Sequence, residues 1–212
     1  VQDRALTKQQ CGLPADQPIL LFFGQIKPEK GLTELLTAFA QYKQEGGAGF
    51  LLVAGRPVEH ATEDYPEIAR QLGVSNHVRF DLRYIPDDET DAYYSAADLV
   101  VLPYRKIYQS AVLIMAMSYG RAVLCSDLPS MKEVLEEDLT GFLFKSGDVD
   151  ALEAALREAL KSQQRLYEVG DNALAEMQSN YGWHGIGEST KEAYECALPK
   201  ARASEGQVKF RD

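Results

Sequence analysis

Six short apolar segments recur along the chain, and each is followed by a stretch with helical spacing or by a long turn. In chain order they are ILLFFG, FLLVAG, VRFDLRYI, DLVVLPY, AVLCSD and GFLF. A strand that is apolar on both faces belongs inside a sheet covered on both sides, and strands separated by helices pair in parallel. The pattern therefore predicts an α/β fold built on a doubly wound, Rossmann-like parallel sheet.

The segments between these strands predict the helices. They read LTELLTAFAQYKQ, YPEIARQLG, TDAYYSAA, QSAVLIMAMSYG, PSMKEVLEED and VDALEAALREALKSQQRL. Beyond Gly170 the pattern loosens into two helices broken near residues 181–187. We expect a lead-in segment over 1–17, the Rossmann-like domain over 18–170, helices packing on it over 171–198, and a polar tail over 199–212. The chain begins with Val instead of Met, which indicates a piece of a longer protein.

The composition excludes several function classes. The chain has 212 residues, of which 45% are hydrophobic and 25% charged, and its net charge is −10. Without a local basic stripe this charge argues against a nucleic-acid partner. The three cysteines are widely spaced, which argues against a disulfide framework or a zinc site and favours a reducing, cytoplasmic setting. No apolar run approaches the roughly 20 residues of a membrane-spanning helix.

The loop after the first strand, GQIKPEKGL at residues 24–32, combines two glycines with two lysines. Gly24 and Gly31 allow close backbone approach, and Lys27 and Lys30 flank a turn that leads into a helix. Such a loop suits a phosphate group. It matches neither a P-loop nor GxGxxG, so a solvated turn with ordinary surface lysines fits the composition as well.

Two later loops also precede helices. In PYRKIYQSA, Ser110 stands near a helix start with Arg105 and Lys106 close by, which predicts an anion-binding end. The alternative is that Ser110 or Gln109 only caps the helix. In SDLPSMKEV, Glu133 is either a site residue or an ordinary surface acid in a helix rich in acids.

Together these stretches resemble a known family. LLFFGQIKPEKGLTELLTAFA, FLLVAG, VRFDLRYIPDDETDAYYSAADLVVLPY, QSAVLIMAMSYGRAVLCSDLPSMKEVL and TGFLFKSGDVDALEAAL cover about residues 18 to 160. In order and spacing they resemble the C-terminal half of the group 1 glycosyltransferases, retaining enzymes with the two-domain GT-B fold. The resemblance implies that this half binds a nucleotide-sugar donor, and that reaction takes place in the cleft with an N-terminal acceptor domain, without a cofactor or metal.

The resemblance also implies a whole protein larger than this chain. That protein would move a hexose from an NDP-sugar, with UDP or GDP as the nucleotide, to a saccharide or lipid-linked acceptor. This segment alone would be inactive because the acceptor domain is missing. We expect a cytoplasmic protein, or one held at the inner membrane face through the missing half. The alternative is a non-catalytic glycosyltransferase-like domain with a binding or assembly role.

The resemblance assigns roles in the first loop, where the family holds the donor diphosphate with an arginine and a lysine. Lys30 matches the lysine, and Gln25 stands at the arginine position. We expect Lys27 to supply the missing charge, so that Lys30 and Lys27 stabilise the departing diphosphate between Gly24 and Gly31.

Further donor contacts follow from the other matching segments. RYIP matches the segment whose backbone contacts the base, which makes Tyr84 and Ile85 the base candidates. The helix start at Gln109, Ser110 and Ala111 would face the diphosphate. Glu133 stands where many members carry an acid. The end of the second strand, Gly55 and Arg56, is a lesser candidate for lining the cleft.

The largest departure from the family lies in KIYQSAVLIMAMSYG. The family carries two glutamates there, the first near the donor sugar and the second on the ribose, and the matching positions are Ile107 and Met115. A methionine accepts hydrogen bonds only weakly. Losing a charge-assisted hydrogen bond costs about 1.5–3 kcal/mol, so we expect donor binding to be weakened but retained.

Overall fold

The computed structural model describes residues 4–59 and 63–197. The described residues contain six strands: β1 Ile19–Phe23, β2 Phe50–Ala54, β3 Val78–Asp81, β4 Leu99–Leu102, β5 Ala122–Ser126 and β6 Phe142–Phe144. They form a parallel sheet in the order β3-β2-β1-β4-β5-β6. The strand order reverses between β1 and β4, which is where sheets of this kind bind ligands. The predicted doubly wound parallel sheet is confirmed.

The helices cover both faces of the sheet. They are α1 Arg4–Gln10, α2 Leu32–Gln44, α3 Tyr65–Gln71, α4 Asp87–Ala96, α5 Ala111–Ser118, α6 Pro129–Lys132, α7 Val149–Ala159, α8 Gln163–Asn180 and α9 Trp183–Ala197. Leu20 and Phe22 of β1 point into a core formed with α2, α3 and α7, whereas Ile19 and Leu21 point into a second core with α4, α5 and α8. Because successive strand residues face opposite sides, the uninterrupted apolar strands supply both cores. None of the helices in the described ranges has the length and apolarity needed to cross a membrane.

Helix boundaries differ from the sequence prediction in several places. The segment VDALEAALREALKSQQRL is two helices, because Ser162 caps α8 by accepting a hydrogen bond from the Arg165 amide at 3.3 Å. In PSMKEVLEED only the first turn, α6, is helical, and a turn closed by the Thr140 hydroxyl follows it. The predicted break after α8 is confirmed but narrower, since α9 begins at Trp183.

The expected domain boundaries do not all coincide with the ends of helices. The lead-in segment contains α1, which packs on α4. The boundary at residue 170 lies within α8, whose residues belong to both cores. The expected polar tail over 199–212 lies outside the described residues.

Asp98, at the end of the sheet opposite the strand ends that carry the predicted site, joins four elements through its buried carboxylate. Only 1% of the residue is exposed. Its carboxylate accepts hydrogen bonds from the Ile19 amide at 2.7 Å and from the Gln163 side chain at 3.0 Å. Lys8 of α1 forms an ion pair with it at 2.6 Å. A buried charge has to be paired, so this network fixes α1, α8 and the starts of β1 and β4 together.

We predict that Lys8→Met destabilises the fold by about 3–5 kcal/mol, because it leaves the buried Asp98 carboxylate without its cation while keeping an apolar stem. Urea unfolding followed by circular dichroism measures the loss. The matched control is Lys145→Met, which removes a surface pair with Asp148 at 3.4 Å and should cost less than about 1 kcal/mol. Equal losses in the two variants would contradict the role assigned to the buried pair.

Candidate functional site

Two loops at the carboxyl ends of β1 and β4 pack directly on each other. Gly31 has φ +70°, and a Cβ placed on it would lie 2.0 Å from the carbonyl oxygen of Pro103. The Arg105 amide donates a hydrogen bond to the Glu29 carbonyl at 2.8 Å, and its guanidinium donates to the Pro28 carbonyl at 2.5 Å. These contacts therefore join the two loops at the switch point.

Arg105 is occupied by this loop contact. Its guanidinium also forms an ion pair with Glu34 at 3.3 Å. Arg105 lines none of the three cavities described below, so its contribution to an anion site stays a prediction. Lys106, the next residue, instead lines one of these cavities.

Lys106 lies with Lys27 and Lys30 around a cavity of about 530 Å³, here named the lysine cavity. Its remaining walls are Glu29, Ile107 and Tyr108. Within the described residues none of the three ammonium groups forms an ion pair. With Glu29 as the acid among these walls, the three lysines leave an excess of positive charge, which suits an anion.

Lys30 is the most deeply placed of the three lysines. Its ammonium lies 5.1 Å from the centroid of the Tyr104 ring. Burial, together with the charge of Lys27, lowers the pKa of Lys30 to about 8, and Glu29 partly opposes this shift. Lys30 is therefore largely charged at neutral pH but loses its proton under mildly alkaline conditions.

Gly24 marks the point where Lys30 meets α5. A Cβ placed on Gly24, which has φ +96°, would lie 3.5 Å from the Lys30 Nζ and 3.3 Å from Cγ2 of Val112 in the first turn of α5. The glycine thus leaves room beside an ammonium group and a helix start, where unpaired amide groups favour negative charge.

A second cavity, of about 340 Å³, is named here the Tyr84 cavity. It is lined by Phe23, Gly24, Gln25, Gly55, Arg56, Tyr84, Ile85, Asp87, Thr90 and Met115. Tyr84 is 64% exposed and Met115 38% exposed, so both present apolar surface to a ligand. The structure therefore brings together Gly24, Gln25, Tyr84, Ile85 and Met115, which the sequence assigned to the donor.

Sequence reasoning missed Asp87 and Thr90 in this cavity. PDDETD has the composition of a solvated helix start, and Asp87 is indeed the first residue of α4. Asp87 could have been predicted from its position in the sequence, because it directly follows the base-contact segment RYIP. That segment is held by Arg83, which pairs with Glu89 and donates to the Tyr84 carbonyl at 3.2 Å.

A third cavity, of about 530 Å³, contains the other predicted donor residues and is named here the Glu133 cavity. It is lined by Tyr108, Gln109, Ser110, Ala111, Leu113, Ile114, Ser130, Glu133, Val134 and Tyr181. Ser110 caps α5 by accepting a hydrogen bond from the Leu113 amide at 3.2 Å. Lys132 pairs with Asp127 at 3.5 Å and not with Glu133.

The predicted site residues are thus divided among three cavities instead of one. Lys27 and Lys30 line the lysine cavity, and Glu133 lies with Gln109, Ser110 and Ala111 in a separate one. Gly31 lines none of these three cavities, and its observed role is the close backbone contact with Pro103. In residues 4–59 and 63–197 no cluster of three His, Cys, Asp or Glu side chains is arranged to hold a metal, and the three cysteines are free thiols.

We predict that Gly31→Ala destabilises the chain by at least about 1 kcal/mol more than Gly73→Ala. Both positions have positive φ, +70° and +75°, so both variants carry the same backbone strain of about 1–3 kcal/mol. At Gly73 a new Cβ meets nothing within 4 Å, whereas at Gly31 the Pro103 carbonyl would have to move. Urea unfolding of the two variants compares them, and equal stability would contradict the backbone contact between the loops.

Comparison with known proteins identifies a matching family and several similar proteins. The family model "Glycosyl transferases group 1" matches residues 3–176. D-inositol 3-phosphate glycosyltransferase of Nocardia farcinica is 30% identical over 92% of this chain and 44% of its own length. Lipopolysaccharide 1,2-N-acetylglucosaminetransferase of Salmonella typhimurium is 26% identical over 87% of this chain and 50% of its own. The chain spans about half the length of these curated relatives.

Solved structures show the same fold. Sucrose-phosphate synthase from Thermosynechococcus elongatus matches with a TM-score of 0.77 and 27% identity, over 91% of this chain and 48% of its own. The C-terminal domain of a group 1 glycosyl transferase from Francisella tularensis gives 0.75 and 19% identity, over 86% of this chain and 95% of that domain. Anabaena Alr3699/HepE in complex with UDP matches with a TM-score of 0.80 and 22% identity, over 91% of this chain and 52% of its own. The fold is the Rossmann-like half of a GT-B enzyme, and the chain belongs to the group 1 glycosyltransferase family.

Proposed function

We propose that this chain is the C-terminal, donor-binding domain of a retaining glycosyltransferase that uses a nucleotide sugar. One observation carries the proposal: Gly24, which lines the Tyr84 cavity, lies beside both the first turn of α5 and the ammonium of Lys30, which lines the lysine cavity. A nucleoside diphosphate joins an anionic diphosphate, which suits the lysines, to a planar base, which suits the Tyr84 cavity.

The diphosphate would lie beside Gly24, within reach of the lysine cavity. Lys30 and Lys27 provide charge there, and Lys106 adds a third cation that compensates for the neutral Gln25. The helix start at Gln109, Ser110 and Ala111 lines the Glu133 cavity, but its first turn reaches Gly24 at Val112, and we propose that its free amide groups face the diphosphate there. These groups would stabilise the charge that develops on the diphosphate as the sugar leaves, which is electrostatic catalysis by preorganised donors.

The nucleoside would fill the Tyr84 cavity. The Tyr84 ring offers an exposed aromatic surface to a base, and Ile85 lines the same cavity. Met115 stands where the ribose is expected and offers little hydrogen bonding. Asp87 and Arg56 are the charged groups that line this cavity.

The relatives support this proposal for the whole protein. Their names describe glycosyltransferases, and the Anabaena neighbour was solved with UDP. We propose transfer of a hexose to a saccharide or lipid-linked acceptor bound by an N-terminal domain, with no turnover by the present chain alone. We also propose a cytoplasmic location, with any contact at the inner membrane face made through that other domain.

We predict that the chain binds UDP and that its affinity falls at alkaline pH. The pKa of Lys30 is about 8, and a bound diphosphate favours the charged lysine. Affinity is therefore highest below pH 8, and it should weaken by at least about fivefold between pH 7.5 and pH 9.5, as measured by calorimetry. The UDP phosphates keep a constant charge in this range because their last pKa is about 6.

Two variants serve as controls for this titration. Lys30→Arg keeps its charge throughout, so its UDP affinity should fall less than that of the wild type over the same pH range. Lys30→Ala should bind UDP weakly at both ends of the range. A wild-type protein that gives no heat with UDP or GDP, or a Lys30→Ala variant that binds like the wild type, would contradict the assignment of the diphosphate.

We predict that Met115→Glu strengthens UDP binding by about tenfold or more, because a carboxylate there can accept hydrogen bonds from the ribose hydroxyls. Met115→Gln, which adds hydrogen bonding without charge, should give a smaller gain. Calorimetry with 2′,3′-dideoxy-UDP provides the specificity control, since the gain from Met115→Glu should disappear with it. An equal gain with the dideoxy nucleotide would place the ribose elsewhere.

A second candidate function is a non-catalytic glycosyltransferase-like domain with a binding or assembly role. The observation in its favour is that Ile107 and Met115 occupy the two positions where the family carries glutamates. Assays of the full-length protein for hydrolysis of a panel of NDP-sugars distinguish the two. Hydrolysis supports the enzyme, and a flat result across the panel supports the non-catalytic domain.

A further inference from the structure

The wall that α5 contributes to the Tyr84 cavity is apolar. From this helix Met115 lines the cavity, and it follows Val112 by three residues. A Cβ placed on Gly24 would lie 3.3 Å from Cγ2 of Val112, so this part of the helix starts beside Gly24. Residues three apart are neighbours on the surface of a helix. Met115 therefore continues the side of α5 that begins at Gly24.

Phe23, at the end of β1, adds a second apolar wall. It directly precedes Gly24 and lines the same cavity. Its ring centroid lies 5.9 Å from that of Tyr93 and 5.0 Å from that of Tyr94, so aromatic packing holds the ring in place. A phenyl ring has no hydrogen-bonding group, and the thioether of Met115 accepts only weakly. The cavity therefore has apolar walls on its β1 and α5 sides.

The hydrogen-bonding side chains of the cavity come from other elements. They are Gln25, Arg56 and Tyr84 on the loops after β1, β2 and β3, and Asp87 and Thr90 on α4. The Thr90 hydroxyl already donates to the Pro86 carbonyl at 3.1 Å. A ligand hydroxyl that faces Met115 would therefore lose water without gaining a good partner from that side chain, which is unfavourable.

The pentose is the part of a nucleotide that these two walls would meet, because it joins the diphosphate to the base. With the diphosphate beside Gly24 and the base at Tyr84, the pentose lies along Phe23 and Met115. Its C2′ atom carries a hydroxyl in a ribonucleotide and two hydrogens in a deoxyribonucleotide. An apolar pocket discriminates against an added hydroxyl by up to about 100-fold. The effect is smaller where the wall is open to water, and Met115 is 38% exposed.

We propose that the donor is a 2′-deoxynucleoside diphosphate sugar, whose C2′ methylene packs on the Met115 side chain. This inference rests on the proposed function, from which it takes the nucleotide site, and it adds the class of the pentose. UDP still binds through its diphosphate and base, but its 2′-hydroxyl meets an apolar wall. Met115 then selects the pentose, and a methionine at this position is compatible with an active enzyme.

The test is calorimetry of the chain with UDP and with 2′-deoxy-UDP, two probes that differ by one oxygen atom. We expect the wild type to bind 2′-deoxy-UDP at least about fivefold more tightly than UDP. Met115→Glu places a hydrogen-bond acceptor at this wall and should lower that ratio of affinities at least about fivefold. Met115→Leu keeps the wall apolar and should retain the preference for 2′-deoxy-UDP.

Ser118→Glu is the matched control for the added charge. Ser118 is the last residue of α5, is exposed, and lines none of the three cavities. The variant adds the same carboxylate to the same helix, three residues after Met115, and should leave the ratio of the two affinities unchanged. Circular dichroism of all three variants checks that each keeps the folded spectrum of the wild type.

The outcomes separate this inference from the proposed function. If the wild type binds both nucleotides equally, or prefers UDP, the deoxynucleotide donor is wrong and the nucleotide site stands. If neither nucleotide gives heat, the proposed function fails together with the inference. A preference for 2′-deoxy-UDP that a folded Met115→Glu variant leaves unchanged, or that Ser118→Glu lowers equally, does not arise at Met115 and overturns the inference.

Discussion

The backbone contact between Gly31 and the Pro103 carbonyl determines the geometry of the whole candidate site. It holds the loop after β1 against the loop after β4 at the point where the strand order reverses. Arg105 strengthens the contact by binding Pro28 and Glu34. Because these contacts join the two loops, they set the position of Lys30 on one loop relative to α5, which follows the other. A ligand therefore meets a preformed site.

Charge is distributed unequally along this edge. The lysine cavity concentrates positive charge that burial makes costly, and the lowered pKa of Lys30 reflects that cost. The adjoining Glu133 cavity is acidic, and the Tyr84 cavity is mixed. Such a division directs an anionic ligand to the lysine cavity.

Much of the fold was predictable from the sequence because it depends on local patterns. Apolar strands and helical spacing predicted the parallel sheet and placed the candidate loops at the carboxyl ends of its strands. The split between α7 and α8 was missed because Ser162 acts through a cap that interrupts a continuous amphipathic pattern. Asp98 looks like an ordinary strand-entry residue, and its buried pair with Lys8 depends on a contact across 90 residues of chain. The division of the site into three cavities likewise depends on side-chain packing that spacing does not encode.

The most direct test of the account is a crystal structure of this chain with UDP bound. The account predicts the diphosphate beside Gly24, with a phosphate oxygen within hydrogen-bond distance of the Lys30 Nζ, and the uridine in the Tyr84 cavity. Lys106 or Lys27 should contact the same diphosphate. Well-defined UDP density in the Glu133 cavity, or a diphosphate that contacts none of the three lysines, would contradict it.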